Sequence, residues 1–307
     1  MLIIINSYLA RQGIIIILID SLQARLRILR RIKNSYLPRP GIIFIIINKH
    51  HQLFPSIIFY MLYIIFSLMA VTKAVVLAGG LGTRMRHLTN DEIPKALVKV
   101  NGRTITEIVI DNLKSMGITD VFLSIGHHAG QIKEYFGNGS GFGVRIHYLV
   151  EEEPLGTGGW MNLADKSELN ETFLVCNGDD ILELGNEGLE RFHTLHRENN
   201  AAVSIALTET ENVSEKGVAE LEGSRIKKFV EKPSPDNAPS NLISTGNYLF
   251  EPEVLSLLQA KKVISLEKDL FPMIAAAGGL YGFSLDAKWY SIGTKEEYEK
   301  ARGREGC

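Results

Sequence analysis

A short apolar strand that ends in a glycine-rich turn constrains the fold of this chain more than any other feature. Residues 73–78 read KAVVLA and run directly into Gly79 and Gly80. A continuous apolar run of this length, bounded by a turn, is typical of a strand that is buried on both faces. Such strands occur mainly in parallel sheets covered by helices, so we expect this segment to be the first central strand.

Helix-like and strand-like segments alternate after this first strand. An apolar stripe with helical spacing predicts a helix over residues 105–116, closed by Gly117. Further segments are a helix at 129–136 and strands at 121–125, 144–150 and 172–176. The alternation predicts an α/β fold with a Rossmann-like, mostly parallel sheet flanked by helices, and ligands beyond the carboxyl ends of the strands.

The second half of the chain is richer in extended segments. The predicted strands are residues 202–207, 218–221, 226–230, 243–250 and 280–285, with predicted helices at 253–258 and 267–277. We interpret these segments as a smaller mixed-sheet lobe that completes the pocket.

Residues 1–68 differ in composition from the rest of the chain. They are crowded with isoleucine and hold eight Lys or Arg residues against one acid, Asp20, which leaves 25 bases and 34 acids in residues 69–307. Residues 52–72 are uncharged and long enough to span a bilayer, although Pro55 interrupts them. Two interpretations of residues 1–68 stay open: a leader translated in error upstream of a true start at Met69, or a membrane anchor. Residues 69–307 are the predicted catalytic domain.

Composition excludes several classes of protein. With only Cys176 and Cys307, neither a disulfide framework nor a cysteine metal site is available, so a reducing, cytoplasmic setting is the default expectation. The acidic balance of residues 69–307 argues against nucleic acid as a partner.

The turn after the first strand has the composition of a phosphate-binding loop. Residues 78–86 read AGGLGTRMR and are followed by Pro94 and Lys95. Backbone amides without side chains can approach phosphate oxygens closely, while Arg84 and Lys95 can neutralise departing phosphates. The loop is no Walker motif, and Arg84 stands where a Rossmann motif has glycine. The glycines alone also fit a plain solvated turn.

The same residues resemble a known signature. Residues 77–86, with Leu88, Thr89 and the PKAL of 94–97, resemble the signature of sugar-1-phosphate nucleotidyltransferases, the NDP-sugar pyrophosphorylases, and the resemblance extends over residues 73–301. It implies transfer of a nucleotidyl group from an NTP to a sugar 1-phosphate with loss of pyrophosphate. The implied nucleotide-binding residues are Leu77, Ala78, Gly79, Gly80, Gly82, Thr83, Arg84, Gly156 and Thr157, the last two within the EPLGTGG of residues 153–159.

Two further motifs complete the implied site. The NGD of residues 177–179 is similar to the family motif whose aspartate holds Mg²⁺, which makes Asp179 the implied metal ligand. The FVEKP of residues 229–233 resembles the family's sugar-phosphate element. The implied sugar-phosphate residues are Gly217, Glu231, Lys232, Gly246 and Tyr248, and the implied catalytic residues are Arg84, Lys95 and Lys232.

One position departs from the family pattern. Family members often carry a second magnesium-binding aspartate between a tryptophan and a glycine near the end of the domain, where this chain has Ser291. Asp180 or Asp286 could compensate, phosphate oxygens and water could complete the metal shell, or the chain could be a catalytically silent regulatory homologue.

Substrate identity follows from weaker similarities. Residues 265–272 and the segment around Trp289 resemble mannose-1-phosphate guanylyltransferases and related heptose-1-phosphate enzymes, and Ala96 replaces a glutamine frequent in thymidylyltransferases. The resemblance favours GTP and mannose 1-phosphate as partners, giving GDP-mannose. Glucose-1-phosphate thymidylyl- or uridylyltransfer and heptose-1-phosphate guanylyltransfer stay open, as does homo-oligomer formation. A glycosyltransferase usually needs an Asp-x-Asp motif where this chain has Asp179 and Asp180 adjacent. A membrane is a partner only if residues 1–68 form an anchor.

Overall fold

The structure, a computed structural model, describes residues 70–259 and 261–304 together with three strands nearer the amino terminus. It divides the chain into two compact units, Met1–Ala70 and Val71–Cys307. The assignment of residues 69–307 as the catalytic domain stays a prediction.

The first unit contains a three-stranded sheet. Strands β1 (Leu2–Ile4) and β2 (Ile14–Ile19) are antiparallel, and β2 is parallel to β3 (Ile43–Asn48). Most of the candidate anchor at 52–72 lies outside the described residues. Within the described part of the chain, no helix has both the length and the apolar character needed to cross a bilayer.

A nine-stranded mixed sheet organises the second unit. Its order is β11-β15-β13-β12-β14-β9-β4-β7-β8. These strands are β4 (Lys73–Leu77), β7 (Asp120–Ile125), β8 (Arg145–Val150), β9 (Phe173–Asn177), β11 (Val203–Glu209), β12 (Gly217–Glu222), β13 (Arg225–Glu231), β14 (Leu242–Phe250) and β15 (Leu280–Ser284). Strand β4 pairs in parallel with β7 and β9, whereas β14 pairs antiparallel with β9 and joins the mixed half to the parallel half. The predicted fold class is confirmed, with both halves in one continuous sheet.

Two short pairs stand apart from this sheet. Strands β5 (Lys99–Val100) and β6 (Arg103–Thr104) form a small hairpin. Strand β10 (Asp180–Glu183) pairs antiparallel with β16 (Lys288–Ser291), which places Asp180 directly opposite Ser291.

The helices of the second unit cover the sheet. They are α1 (Arg86–Thr89), α2 (Ile105–Ser115), α3 (Ala129–Phe136), α4 (Gly185–Glu198), α5 (Phe271–Ala277) and α6 (Lys295–Arg302). A capping box between Thr104 and Glu107 starts α2, and a wide helical turn, Leu266–Leu270, leads into α5. The predicted helices at 105–116 and 129–136 are confirmed.

Other helix predictions need correction. Residues 253–258 form no α-helix. A short 3₁₀ helix, Pro252–Ser256, takes its place and buries only Val254 and Leu255. Helix α4 was not predicted, although Leu189, Phe192 and His196 are buried at helical spacing along it. Gly185 and Gly188 obscure this pattern, since glycine is a poor helix former.

Apolar layers on both faces of the sheet leave the strand ends free. Ala74 and Val76 face one buried cluster, which includes Ile105 and Leu113 of α2, and Val75 faces the other, around Trp160. Because both faces of β4 are covered, a ligand can reach this part of the sheet only at the strand ends.

Candidate active site

A cavity of about 480 Å³ opens at the carboxyl ends of β4 and β9. Every residue that the family resemblance implied for the site lines it. They are Leu77, Ala78, Gly79, Gly80, Gly82, Thr83, Arg84, Lys95, Gly156, Thr157, Asp179, Gly217, Glu231, Lys232, Gly246 and Tyr248. Residues from the parallel half and from the mixed half of the sheet therefore share one pocket, and their individual roles stay predictions.

The glycine-rich loop turns sharply at the end of β4. The Ala78 amide still donates to the Ser124 carbonyl at 2.8 Å, as a continuation of the sheet, and the Gly178 amide donates to Leu77 O at 3.0 Å. Gly82 then takes a φ of +61°, and a Cβ there would lie 3.0 Å from the Lys95 Cβ. Glycine is needed at this turn because an L side chain would be strained and would crowd Lys95.

Two basic side chains flank the loop. Arg84 is more than half exposed and lies 4.0 Å from the Glu215 carboxylate, a loose pair that leaves the guanidinium open to the cavity. Lys95 is largely buried and is bonded to Asp179. The first is thus available to an anion from solvent, whereas the second is already held by a carboxylate.

Asp179 lies just beyond the end of β9, and its side chain is one-fifth exposed to the cavity. Burial raises the pKa of this carboxyl, but the ammonium of Lys95 beside it, with weaker help from Lys216 and Arg84, brings the pKa below its ordinary value. Asp179 is therefore ionised at neutral pH and can serve as an oxygen ligand.

Asp180, the neighbour of Asp179 in the sequence, has the opposite environment. Its side chain is 4% exposed, with Oδ1 3.3 Å from Lys216 Nζ and Oδ2 accepting from Asn177 Nδ2 at 2.8 Å. Ser291, opposite on β16, also donates to it. Burial and the charge of Asp179 raise the pKa of Asp180.

The mixed half of the sheet supplies the other wall. Gly217 pairs with Glu231 across β12 and β13, and a Cβ at Gly217 would lie 2.2 Å from the Phe229 ring, so only glycine fits. Burial, with the nearby Glu267, raises the pKa of Glu231. Lys232 Nζ lies 3.8 Å from Glu231 Oε1 and is half exposed, on a backbone with φ +48°. A left-handed non-glycine residue at a pocket edge is a recurrent feature of functional sites.

The EPLGTGG segment is held by the loop before α5. Gly156 has a φ of +82°, and a Cβ there would lie 2.4 Å from Ile264 O. Thr157 donates to Glu267 Oε2 at 2.6 Å and accepts from the Leu266 amide at 2.9 Å. This wall is therefore rigidly tied to the second half of the chain.

Several cavity residues were missed from the sequence. The missed polar side chains include Ser124, Glu151, Lys216 and Glu267. Lys216 precedes the predicted Gly217, so its position in the sequence was a usable signal. Asp286, proposed as a substitute carboxylate, is exposed and is not among the cavity residues.

A metal site would have few protein ligands here. Across the part of the chain that the structure describes, no group of three or more His, Cys, Asp or Glu side chains could hold a metal ion. A Cβ at Gly293 would lie 2.8 Å from Asp179 Oδ2, the oxygen that accepts from Lys95 Nζ, so the glycine leaves room for this ion pair. The single, partly exposed Asp179 carboxylate in the cavity fits a cation such as Mg²⁺, which takes few protein ligands and keeps phosphate oxygens and water.

Comparison with known proteins identifies the family of this chain and several similar proteins. Residues 73–304 match the nucleotidyl transferase family. Mannose-1-phosphate guanyltransferase beta-B of Xenopus laevis is 36% identical over 231 residues, which cover 74% of this chain and 62% of that protein. UTP–glucose-1-phosphate uridylyltransferase of Synechocystis sp. is 33% identical over 245 residues, which cover 75% of this chain and 62% of that protein. The chain thus spans less than two thirds of the length of these curated relatives.

Solved structures are similar over the same region. HddC of Yersinia pseudotuberculosis, complexed with GMP-PN, is 27% identical with a TM-score of 0.63, covering 76% of this chain and 98% of that one. A putative glucose-1-phosphate thymidylyltransferase of Bacillus anthracis is 24% identical with a TM-score of 0.66, covering 75% of this chain and 93% of that one. The second similarity concerns the fold alone.

Proposed function

Since the chain belongs to the nucleotidyl transferase family, we propose that it transfers a nucleotidyl group from an NTP to a sugar 1-phosphate and releases pyrophosphate. The observation that carries this proposal is the shared cavity. A glycine-rich loop with Arg84, an ionised aspartate with its lysine, and the Glu231–Lys232 pair all line it. One pocket therefore presents cationic groups to two phosphate-bearing substrates together.

The proposed reaction needs no protein nucleophile. An oxygen of the sugar phosphate attacks the α-phosphorus of the NTP, the bond from that phosphorus to the β-phosphate oxygen breaks, and pyrophosphate departs with its electron pair. Catalysis then consists of positioning and charge neutralisation. Arg84 holds the departing phosphates, while Lys95 and Lys232 reduce the repulsion between the two reacting phosphates.

Asp179 is the proposed ligand of Mg²⁺. Bound there with phosphate oxygens and water, the ion would neutralise charge on the triphosphate. The Lys95 ammonium keeps the Asp179 carboxyl ionised, which is the state that a metal ligand requires. Ser291 adds no carboxylate at the place where relatives of this family often carry one.

GTP and mannose 1-phosphate are the proposed substrates. The guanyltransferase relatives and the GMP-PN complex of HddC favour guanine, whereas the relative named for UTP and glucose 1-phosphate keeps that pair as the alternative. Heptose 1-phosphate is a further candidate. A cytoplasmic setting and homo-oligomer formation stay predictions.

A second candidate function is regulatory binding of a nucleotide sugar without turnover. The observation that favours it is Ser291, which donates to Asp180 instead of presenting a carboxylate.

Pyrophosphate release separates these functions. The full chain is assayed with Mg²⁺ and each of ATP, GTP, CTP, UTP and dTTP, against mannose, glucose and heptose 1-phosphates. Pyrophosphate release with one pair establishes the reaction and its substrates. If none of the combinations of NTP and sugar phosphate releases pyrophosphate, the proposal is contradicted. Nucleotide-sugar binding without release supports the regulatory function. The same assay on a chain that begins at Met69 tests whether residues 1–68 are dispensable.

A further inference from the structure

Lys216 is a buried cation of the pocket to which neither the sequence motifs nor the reaction above gives a role. It lies directly before β12, and its side chain is one-fifth exposed and lines the cavity. Its ammonium is 3.3 Å from Asp180 Oδ1 and 5.0 Å from the centre of the Trp289 ring. Trp289 is itself held, because its indole N–H donates to Thr245 O at 2.9 Å. A carboxylate and an aromatic face together fix the direction of a side chain that is otherwise flexible.

The position of Lys216 in the backbone points to the sugar side of the pocket. Its carbonyl accepts from the Lys232 amide at 3.1 Å, so the two lysines are neighbours at the same end of the β12–β13 hairpin. The next pair along the hairpin is Gly217 and Glu231, both cavity residues. Lys216 is therefore on the mixed half of the sheet, whereas the glycine-rich loop follows β4 of the parallel half.

Each of the two neighbouring aspartates has a lysine partner, and the Glu297 carboxylate also interacts electrostatically with the Lys216 ammonium. Asp179 has Lys95 as its partner, and Asp180 has Lys216. Ser291 adds a neutral hydroxyl opposite Asp180, where an aspartate would compete for the same ammonium. With serine there, Asp180 anchors the Lys216 ammonium, which keeps donor capacity because it has three N–H groups.

We propose that Lys216 is a further phosphate-binding residue of this site and that its ammonium contacts the phosphate of the sugar 1-phosphate, a role that rests on the proposed transferase function. Asp180 and Trp289 position the ammonium, and Lys232 meets the same phosphate from the neighbouring strand. Two lysines on one hairpin then reduce the repulsion between the attacking phosphate and the NTP.

The test measures binding of sugar phosphate to the full-length protein. Titration calorimetry with mannose 1-phosphate and glucose 1-phosphate is run on the wild type and on Lys216→Gln, Lys216→Arg and Lys227→Gln. Lys227 is the matched control, because it lies on the same hairpin but pairs with surface Glu222 at 3.5 Å. Lys216→Gln should weaken sugar-phosphate binding about tenfold or more, as expected for a lost charge-assisted contact. Lys216→Arg should keep most of the affinity, and Lys227→Gln all of it.

Steady-state kinetics add a second readout. In Lys216→Gln, the KM for the sugar phosphate should rise while the KM for the NTP stays near the wild-type value. An equal rise in both constants, or unchanged sugar-phosphate affinity, overturns the proposal.

A purely structural role is separated by a double variant. Lys216→Gln alone leaves the Asp180 carboxylate without its ammonium, which can destabilise the fold. Combining it with Asp180→Asn removes both charges and should restore Tm but not sugar-phosphate affinity. If the double variant binds sugar phosphate like the wild type, Lys216 acts only on Asp180 and the proposal is wrong.

The outcomes also separate this proposal from the proposed function. If the wild type turns over and Lys216→Gln keeps the wild-type affinity for sugar phosphate, only the role of Lys216 is contradicted. If the wild type neither binds sugar phosphate nor releases pyrophosphate, both the transferase function and the role of Lys216 are contradicted.

Discussion

At the candidate reaction centre, two adjacent aspartates each have a lysine of their own. Lys95 holds Asp179 at the cavity surface, and Lys216 holds Asp180 beneath it. The consequence is a difference in availability, because the Asp179 side chain is one-fifth exposed whereas the Asp180 side chain is almost fully buried. The two aspartates are consecutive in the sequence, so the difference in exposure comes from the side chains that pack against each of them.

The Arg84 guanidinium is the residue-scale test of the proposed mechanism. Arg84→Ala should lower kcat about a hundredfold or more, the order of magnitude for removal of a group that stabilises developing charge. Arg86→Ala is the matched control, because Arg86 pairs with Asp91 at 3.0 Å on the surface and is not among the cavity residues. The measurement is pyrophosphate release at saturating substrates. Near-native kcat in Arg84→Ala would remove the assignment of this arginine to the departing phosphates.

At the scale of elements, strand β14 joins the two halves of the sheet and passes under the reaction centre. Gly246 within it has a φ of +72°, and a Cβ there would lie 2.4 Å from both Asn177 Nδ2 and Asp180 Oδ2. The close approach of this strand to the buried carboxylate therefore depends on a residue without a side chain.

Gly246→Ala should lower the free energy of unfolding by about 2 to 4 kcal/mol, through backbone strain and a clash at Asp180. Gly223→Ala is the matched control, since Gly223 has a φ of +61° but nothing within 4 Å of its built Cβ. It should cost only about 1 kcal/mol from the backbone. Urea unfolding followed by tryptophan fluorescence is suitable, because Trp160 and Trp289 are the two tryptophans and both lie in Val71–Cys307. Equal losses in the two variants would contradict the close packing at Gly246.

For the molecule as a whole, the second unit contains a half-buried histidine, His193, that couples its stability to pH. Burial, with weaker effects from Arg197 and His196, lowers the pKa of His193 to about 4, although Glu251 opposes the shift. Its Nε2 has no hydrogen-bond partner among the described residues. The unfolded chain, with a histidine pKa near 6.5, binds a proton that the folded state excludes.

Stability should therefore fall as the pH is lowered from about 6.5 towards 4, because the unfolded state binds more protons in that range. His193 should contribute about 2 kcal/mol to this loss, once its partial exposure is allowed for. His193→Gln should flatten the pH dependence of unfolding between pH 7 and 4.5, measured by the same fluorescence. A wild type and variant with parallel pH profiles would show that His193 is not responsible.

Local sequence determined much of this fold and of its candidate site. Continuous apolar runs predicted β4 and β9, and helical spacing predicted α2 and α3. The pocket residues were indicated by the resemblance of short segments, such as the AGGLGTRMR of residues 78–86, to a known family signature. These features are readable because burial on both faces and positive φ angles each demand particular residue types at the position itself.

Tertiary structure alone decided the arrangement around the second aspartate. The environment of Asp180 depends on its register opposite Ser291 of β16 and on the approach of Lys216 from the β12–β13 hairpin. No local pattern encodes such contacts, because residues distant in the chain meet only when the sheet and the β10–β16 pair have formed. Local propensity and motif therefore determined which residues reach the pocket, whereas long-range packing decided which carboxylate stays open and which lysine is buried beside it.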